Sequence, residues 1–216
     1  ASMGYDTDFT KSIDRTGFVQ NHHIAFGGGS ESANYRASIG MMDHRTILRN
    51  NNYKNYIAKL DISQKAFDDH LTVDLGMVGS LQQNDVLPFK QKLLFSAEVF
   101  NPTYPDGANA NGSYDQVPEA IWCNNPNSLL AMQNDETYSH FNIHMSAVIN
   151  LAKNLKLKGF GSYSYASIDN AHYYPTFVWS HGEAYRRDSK RVEMLGNISL
   201  DYSLNIRQHA LNLLGL

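Results

Sequence analysis

The chain has 216 residues, of which 42% are hydrophobic and 18% charged, and its formal net charge is -3 at pH 7. This length suits one domain of ordinary size, and the charge balance excludes the strongly basic footprint of a nucleic-acid-binding protein. No run approaches the roughly 18 apolar residues of a membrane helix, so any membrane crossing must be made by β-strands. A single cysteine, Cys123, excludes a disulfide framework within the chain.

The first half of the chain contains two pairs of predicted strands, each joined by a short turn. Apolar side chains recur at every second position, which places them on one face of an extended chain. Turns are predicted at residues 27–30, where three glycines are expected to supply positive φ angles, and at residues 67–70. A phosphate-binding role for the glycines is not favoured, because no helix follows them. The apolar positions are Ile24, Phe26, Tyr35, Ala37, Ile39 and Met41 in the first pair, and Tyr56, Ala58, Leu60, Ile62, Leu71, Val73, Leu75 and Met77 in the second.

One part of the next long polar segment breaks the alternation. Within residues 91–100 the apolar side chains recur at helical spacing, and the Asn-Pro pair at residues 101–102 ends the run. We expect a short amphipathic helix in an extracellular loop, with its apolar side packed on the loop itself. Docking of a partner on that side is the alternative. The apolar positions of this helix are Leu93, Leu94, Ala97 and Phe100.

The clearest alternation covers residues 141–151. Its length suits a tilted crossing of the hydrocarbon layer, which takes roughly 9–11 residues. After a turn at residues 152–154 the pattern resumes, and Tyr163 and Tyr165 are expected where an aromatic girdle meets the lipid headgroups. The apolar face is Phe141, Ile143, Met145, Ala147, Ile149 and Leu151, opposite Asn142, His144, Ser146 and Asn150, with Val148 as the exception.

A last pair of strands follows a second long polar segment. Apolar positions from Met194 to Tyr202 alternate with polar ones, a turn is expected near Asn205, and a final strand covers residues 209–216. This strand ends with the chain and lacks the aromatic last residue usual for a complete bacterial barrel. Because no secretion signal is visible either, we expect an internal piece of a longer protein.

Short and long connections therefore alternate along the chain, which is typical of a barrel in an outer membrane. The sequence predicts an all-β fold: antiparallel strands of a transmembrane β-barrel, about eight in number, with long extracellular loops and one short loop helix. Residues 1–216 are expected to form a single partial β-barrel domain. Its long loop insertions are expected at about 81–137 and about 166–190.

The two long loops carry the candidate ligand-binding residues. Aromatic faces among amide and carboxylate groups suit sugar rings or peptide backbones, and packing within the loops is the alternative for each residue. The candidates are Tyr104, Tyr114, Trp122, Tyr173, Tyr174 and Trp179, with Tyr185 in the same group.

No nucleophile–base pair or carboxylate pair stands out, so we predict no catalytic residues, no cofactor-binding residues and no cofactor. His140 and His144 share a strand face. Residues four apart on a strand lie roughly 13 Å from each other, which is too far for one metal ion, so no metal site is predicted. Charged residues of both signs, such as Lys59 and Asp61, are expected to face the lumen.

An ordered set of short segments runs through most of the chain from about Asp8 onward. They include residues 15–22 (RTGFVQNH), 34–40 (NYRASIG), 61–66 (DISQKA), 101–103 (NPT), 111–114 (NGSY) and 125–130 (NPNSLL). Together they resemble the SusC/RagA family of TonB-linked outer-membrane transporters. The resemblance implies a large barrel with an N-terminal plug and a TonB-contact segment, capped by a SusD-type surface lipoprotein that delivers glycans or peptides. This chain resembles only the first part of the barrel region.

The predicted function is a barrel segment of a TonB-dependent outer-membrane importer of glycans or peptides, located in the outer membrane of a Gram-negative cell and without enzymatic activity. The expected partners are outer-membrane lipid and an oligosaccharide or peptide ligand, with a SusD-like lipoprotein and TonB implied by the resemblance. Two alternatives stay open. One is a stand-alone small outer-membrane barrel with a binding, adhesive or structural role, and the other is an outer-membrane hydrolase.

Overall fold

A computed structural model of the protein describes residues 4–120, 122–178, 181–206 and 209–215. Eight antiparallel strands form one sheet, in which each strand pairs with its neighbours in chain order. Within the described residues the first and last strands are not paired, so the sheet is open. The all-β antiparallel architecture expected from the sequence is confirmed. The strands are β1 Phe18–Gly29, β2 Ala33–Arg45, β3 Asn52–Ala66, β4 Leu71–Asp85, β5 Gln133–Ala152, β6 Leu155–Tyr174, β7 Glu183–Ile206 and β8 His209–Gly215.

Among the residues that the structure describes, three short helices lie outside the sheet: α1 Phe9–Ile13, α2 Lys90–Val99 and α3 Pro126–Leu130. The second confirms the helix expected in the long loop. The expectation of a single helix was wrong. The two additional helices, α1 and α3, have five residues each, which is too few to show a helical periodicity in the sequence. Their local signals are the capping residues Asp8 and Asn125, whose side chains each accept a backbone N–H. None of the described helices is long and apolar enough to span a membrane.

Successive hairpin turns lie further and further along the sheet, so the strands are staggered in one direction. Leu71, the first residue of β4, pairs with Ile149, and β5 continues for three more residues. Leu155, the first residue of β6, pairs with Tyr202, and β7 continues for four more residues. A stagger of this kind is what strands need when they wrap into a barrel.

The register places the predicted apolar positions of neighbouring strands side by side on one face of the sheet. These side chains are uncovered, because every buried hydrophobic side chain among the described residues lies outside the strands. Met194 and Ile198 on β7, for example, are 76% and 69% exposed. The face therefore suits lipid, in agreement with the apolar and polar faces predicted for residues 141–151. One cross-strand row of this face is Ile24, Ile39, Ala58, Gly79, Phe141, Tyr165 and Val192.

The hydrophobic core lies at one end of the sheet, in a cap made of the three helices and their loops. We define the cap as the described parts of residues 4–17, 46–51 and 86–132. The rings of Phe9 on α1 and Phe100 after α2 meet edge to face at a centroid distance of 5.0 Å. Three of the four apolar positions predicted for the helix around α2 face this core, but the fourth, Leu94, faces solvent. The core side chains are Phe9, Ile13, Leu87, Leu93, Ala97, Phe100, Cys123, Leu129, Leu130 and Met132.

The first hairpin turn lies later than the sequence predicts. β1 runs through Gly27, Gly28 and Gly29, which pair with residues of β2, and the chain reverses at residues 30–32. None of the three glycines has a positive φ, so the role expected for them was wrong. They are needed for close approach: a Cβ added at Gly29 would lie 2.4 Å from the carbonyl oxygen of Ala33.

The turn at residues 67–70 forms where it is expected, with φ values of 55°, 54° and 64° at Phe67, Asp68 and Asp69. On the cap side the strands continue beyond the alternating pattern, so the long connections cover residues 86–132 and 175–182. The difference arises because backbone pairing continues after the apolar alternation has stopped. The turn expected near Asn205 lies partly outside the described residues.

Candidate functional site in the outer loops

Tyr104, one of the sequence-predicted ligand contacts, is held inside the cap. Thr7 fixes its segment, donating its backbone N–H to the carbonyl oxygen of Pro102 at 2.8 Å and its hydroxyl to that of Tyr104 at 2.6 Å. The Tyr104 ring meets the ring of Phe100 at a centroid distance of 5.6 Å and packs against the core. This geometry favours a packing role for Tyr104.

Tyr114 lines a cavity of about 450 Å³ between α3 and the loop that joins β2 to β3. The residues that line it include Arg49, Asn50, Asn127 and Gln133. Amide and guanidinium groups hydrogen-bond to both sugar hydroxyls and peptide groups. The cavity therefore combines an aromatic face with the polar groups that such ligands need.

Hydrogen bonds to the main chain hold two of the cavity amides in place. Nδ2 of Asn50 donates to the carbonyl oxygen of Leu130 at 2.8 Å, and Nδ2 of Asn127 donates to that of Asp106 at 2.9 Å. Because these amides are fixed before any ligand arrives, less ordering is needed on binding.

Trp122 is the most exposed of the described candidate aromatics, at 59%. Its ring lies 6.0 Å from that of Phe95, which is 51% exposed. Phe95 is not among the contacts predicted from the sequence, because it lies outside the apolar positions by which α2 was predicted. The available signal was an aromatic residue on the helix side opposite those positions.

Tyr174 belongs to a stack of three rings at the outer ends of β6 and β7. The ring of His172 lies 4.7 Å from that of Tyr174 and 5.2 Å from that of Tyr185. Nε2 of His172 lies 2.8 Å from a carboxylate oxygen of Glu183. Burial and the charge of Glu183 raise the pKa of Tyr174, so its phenol stays neutral at ordinary pH. Tyr173, its neighbour, is half-exposed and points to the other face of the strand.

The candidate aromatics therefore occupy different environments. Trp122 and Tyr173 are open to solvent, Tyr114 lines a cavity, and Tyr104 and Tyr174 pack against the core of the cap. Trp179 lies outside the described residues. A role in ligand contact stays a prediction for all six.

Two carboxylates that the sequence analysis did not pair face each other near the cap. Asp85 and Asp135 are cross-strand partners on β4 and β5, and Asn52 donates a hydrogen bond to Asp85. Burial and the negative charge of Asp85 raise the pKa of Asp135. Both carboxylates line adjoining cavities of about 300 and 260 Å³. Sequence could not show this pair, because the whole loop of residues 86–132 separates the two strands.

The face of the sheet opposite the apolar row carries charges of both signs. Lys158 forms an ion pair with Asp201, and the Ser146 hydroxyl donates to a carboxylate oxygen of Asp74 at 3.2 Å. No cluster of three or more potential metal ligands occurs in the described part of the chain. This wall is thus polar and partly neutralised by pairing across strands.

Comparison with known proteins gives a sequence relative of known type. No protein-family model matches the chain. The chain is 26% identical over 158 residues to the TonB-dependent receptor SusC of Bacteroides thetaiotaomicron, an alignment that covers 62% of the chain and 15% of SusC. The chain is a sequence homologue of SusC.

The fold of the chain is similar to part of the RagAB structures. The RagAB peptide importer in its closed-closed state matches 97% of the chain with a TM-score of 0.73 at 20% identity, over 25% of the RagAB chain. The open-open state gives a TM-score of 0.70 at 19% identity, over 24% of that chain. Likeness at these identities establishes the fold.

The resemblance seen in the sequence is confirmed, although the SusC homologue spans only about 15% of the length of SusC. TonB-dependent receptors lie in the outer membrane of Gram-negative bacteria, so the location expected from the sequence is also confirmed. The relatives named above are a receptor and an importer rather than enzymes, in agreement with the expectation of no enzymatic activity.

Proposed function

We propose that this chain forms part of the barrel wall of a TonB-dependent outer-membrane importer of glycans or peptides that works with a SusD-like surface lipoprotein. The observation that carries the proposal is the staggered eight-stranded sheet, whose apolar face is uncovered and one end of which carries a folded cap. An apolar face of this extent needs lipid to cover it. In the described part of the chain the folded cap lies at one end of the sheet, which gives the wall one side on which ligand is met.

Within this proposal the chain works passively. It supplies a lipid-facing outer surface, a polar inner surface with both charge signs, and outer loops that contact ligand. The energy for uptake comes through TonB, which acts on other parts of the receptor. Similarity to SusC supports the receptor assignment, and similarity to the RagAB peptide importer supports a peptide as one of the two ligand classes.

Two features of the cap are proposed to contact ligand. The adjacent rings of Trp122 and Phe95, inclined at 56° to each other, offer an apolar surface, and a ring contact contributes roughly 0.5–1.5 kcal/mol beyond the burial of area. The cavity beside Tyr114 offers amides for hydrogen bonding. A ligand with both ring faces and hydrogen-bonding groups, such as a glycan or an aromatic peptide, suits both features.

The test measures binding and uptake of labelled oligopeptides and oligosaccharides with the protein at its natural length. Binding is measured in detergent, and uptake in cells that carry the protein or lack it. Trp122→Ala is expected to weaken binding about fivefold. Phe67→Ala is the matched control, because Phe67 is an exposed aromatic residue in a turn at the opposite end of the sheet.

The proposal predicts that cells lacking the protein lose uptake of at least one ligand class, and that the control binds as the wild type does. Equal uptake of both classes with and without the protein would contradict the import function. Equal binding by Trp122→Ala and Phe67→Ala would contradict only the assigned contact surface.

A further inference from the structure

Two of the cavities beside the cap adjoin each other and carry opposite charges. Arg49 lines the cavity of about 450 Å³, and Asp85 and Asp135 line the cavity of about 300 Å³. Asn50 and Gln133 line both cavities, so the two are continuous. We define the groove as these two cavities, with a cationic end at Arg49 and an anionic end at the two aspartates.

We propose that this groove binds short peptides with free termini, which place the C-terminal carboxylate at Arg49 and the N-terminal ammonium group at Asp85 and Asp135. The inference rests on the proposed function and selects one of its two ligand classes, because a neutral glycan has no charged group for either end. Pockets that bind small ligands usually measure about 300–1,000 Å³, and the two cavities together lie in this range.

The cationic end suits a carboxylate. Nε of Arg49 donates to the carbonyl oxygen of Asp14 at 3.3 Å, which uses one of the N–H donors of the guanidinium group. Within the described residues Arg49 forms no ion pair. A guanidinium group binds a carboxylate through two parallel hydrogen bonds. The charge of Arg49 is therefore not neutralised by a carboxylate of the described chain.

The anionic end suits an ammonium group. Asp85 and Asp135 are cross-strand partners, and burial together with the charge of Asp85 raises the pKa of Asp135. Asn52 donates a hydrogen bond to Asp85, but neither carboxylate forms an ion pair with a cation in the part of the chain that the structure describes. A cation bound between two carboxylates reduces their repulsion, so this end favours a positively charged ligand group.

The anionic end lies beyond the apolar band of the sheet. Asp85 follows Leu81, the last apolar residue of β4, by four residues, which is roughly 13 Å along the strand. Its side chain is exposed. The neighbouring charges are Lys54 and Glu136, which line a third cavity beside the two aspartates and have opposite signs. They therefore leave the direction of the charge separation along the groove unchanged.

The loop that carries Arg49 and Asn50 is held in place from α1. Arg15 donates its backbone N–H to the carbonyl oxygen of Ile47 at 2.7 Å and its Nε to that of Thr46 at 3.0 Å. Asn50 has a φ of 54°, in the left-handed region that asparagine enters more readily than most residues. Because the loop is fixed before a ligand arrives, less ordering is needed on binding.

Binding of tetraalanine to the protein at its natural length in detergent tests the proposal. Near pH 7 both termini of the free peptide are charged to a large extent, and its methyl side chains carry no charge. N-acetylation and C-amidation are each expected to weaken binding about fivefold, the effect of losing one solvent-exposed ion pair. Titration calorimetry of the free, singly blocked and doubly blocked peptides measures the differences.

Variants at the two ends are expected to lose different preferences. Arg49→Gln should bind the free and the C-amidated peptide equally, and should still bind the N-acetylated peptide more weakly. The double variant Asp85→Asn, Asp135→Asn should show the reverse pattern. Arg45→Gln is the matched control, because Arg45 ends β2 next to the same loop, pairs with Asp43 at 3.8 Å and lines neither cavity. The control should keep both preferences.

Equal binding of the free and the doubly blocked peptide by the wild-type protein would overturn the proposal. Retention of both preferences in Arg49→Gln or in the double aspartate variant would overturn it as well. The wild-type comparison needs no variant, so it decides the outcome even where a variant fails to assemble. Uptake in cells with and without the protein tests the import function separately, so a failure of one proposal is distinguishable from a failure of the other.

Discussion

The imidazole of His144 occupies the space that a side chain at Gly76 would need. A Cβ added at Gly76 would lie 2.3 Å from Cε1 and 2.5 Å from Nε2 of His144, its cross-strand partner. The His144 ring is also stacked with Phe160 at a centroid distance of 6.3 Å. Glycine at this point of the inner wall therefore leaves room for the imidazole, and a side chain here would force the His144 ring to move.

Replacing Gly76 is expected to displace His144 from its stack. Gly76→Ala should lower the free energy of unfolding by about 1–3 kcal/mol, the usual cost of overpacking. Gly79→Ala is the control on the same strand, because the nearest atom to its added Cβ is Cδ2 of Phe141 at 4.0 Å. Urea unfolding in phospholipid vesicles measures both variants. Equal stability of the two would contradict the steric argument.

Two adjacent leucines of α2 are expected to differ in their effect on the cap. Leu93 is fully buried in the core, whereas Leu94 is 47% exposed. Leu93→Ala should destabilise the cap by about 2–5 kcal/mol, while Leu94→Ala should change its stability by about 0.5 kcal/mol at most. Hydrogen exchange of the α2 peptides measures this local stability. Similar protection in the two variants would show that the cap core is not where the structure places it.

The carboxylate pair near the cap gives a pH prediction. Because the folded state raises the pKa of Asp135, folding favours its protonated form. Protonated Asp135 contributes to the free energy of unfolding. This contribution is complete below the ordinary aspartate pKa and is lost as pH rises through the raised pKa of the folded state. Asp85→Asn should therefore stabilise the protein near pH 7.5 by about 0.2–1 kcal/mol, the size of a cross-strand pair, and less near pH 3. Thermal unfolding at the two pH values measures the effect. A larger gain at the lower pH would reverse the sign and refute the explanation.

The two faces of β5 should tolerate charge very differently. Ile143→Arg puts a cation on the lipid-facing row, at a cost of about 2–4 kcal/mol near the middle of the bilayer. Asn142→Arg puts the same side chain on the polar inner face, where the cost is small. Assembly into the outer membrane, followed by heat-dependent mobility in gels, measures the difference. Equal assembly of both variants would contradict the assigned faces.

The sequence predicts which side chains share a face of a strand, but it does not predict where the strands end. Alternation predicts which side chains share a face, because that depends only on position along one strand. The close approach of Gly29 to Ala33 depends on how two strands pair, so the glycines were mistaken for the turn itself. The meeting of Asp85 and Asp135 depends likewise on pairing beyond the apolar band.

The cap shows a second limit of sequence reasoning. The periodic stripe of α2 predicts the helix and most of its buried side. The partners of that stripe come from distant segments, such as Phe9 on α1 and Leu129 on α3, and no local pattern marks them. The stack around His172 was missed for the same reason, since it joins two strands across a loop.

Alternate side chains of β5 face lipid in this structure, and site-directed spin labelling can measure that arrangement position by position. Single labels are placed in turn at each of residues 141–151 of the natural-length protein in vesicles, after Cys123, the one cysteine of the sequence, is changed to Ser. Accessibility to oxygen, which concentrates in lipid, is compared with accessibility to a water-soluble nickel chelate. We expect oxygen to favour the odd-numbered positions and the chelate to favour the even-numbered ones, apart from Val148. Uniform accessibility, or protection of the odd positions from both reagents, would contradict a membrane wall.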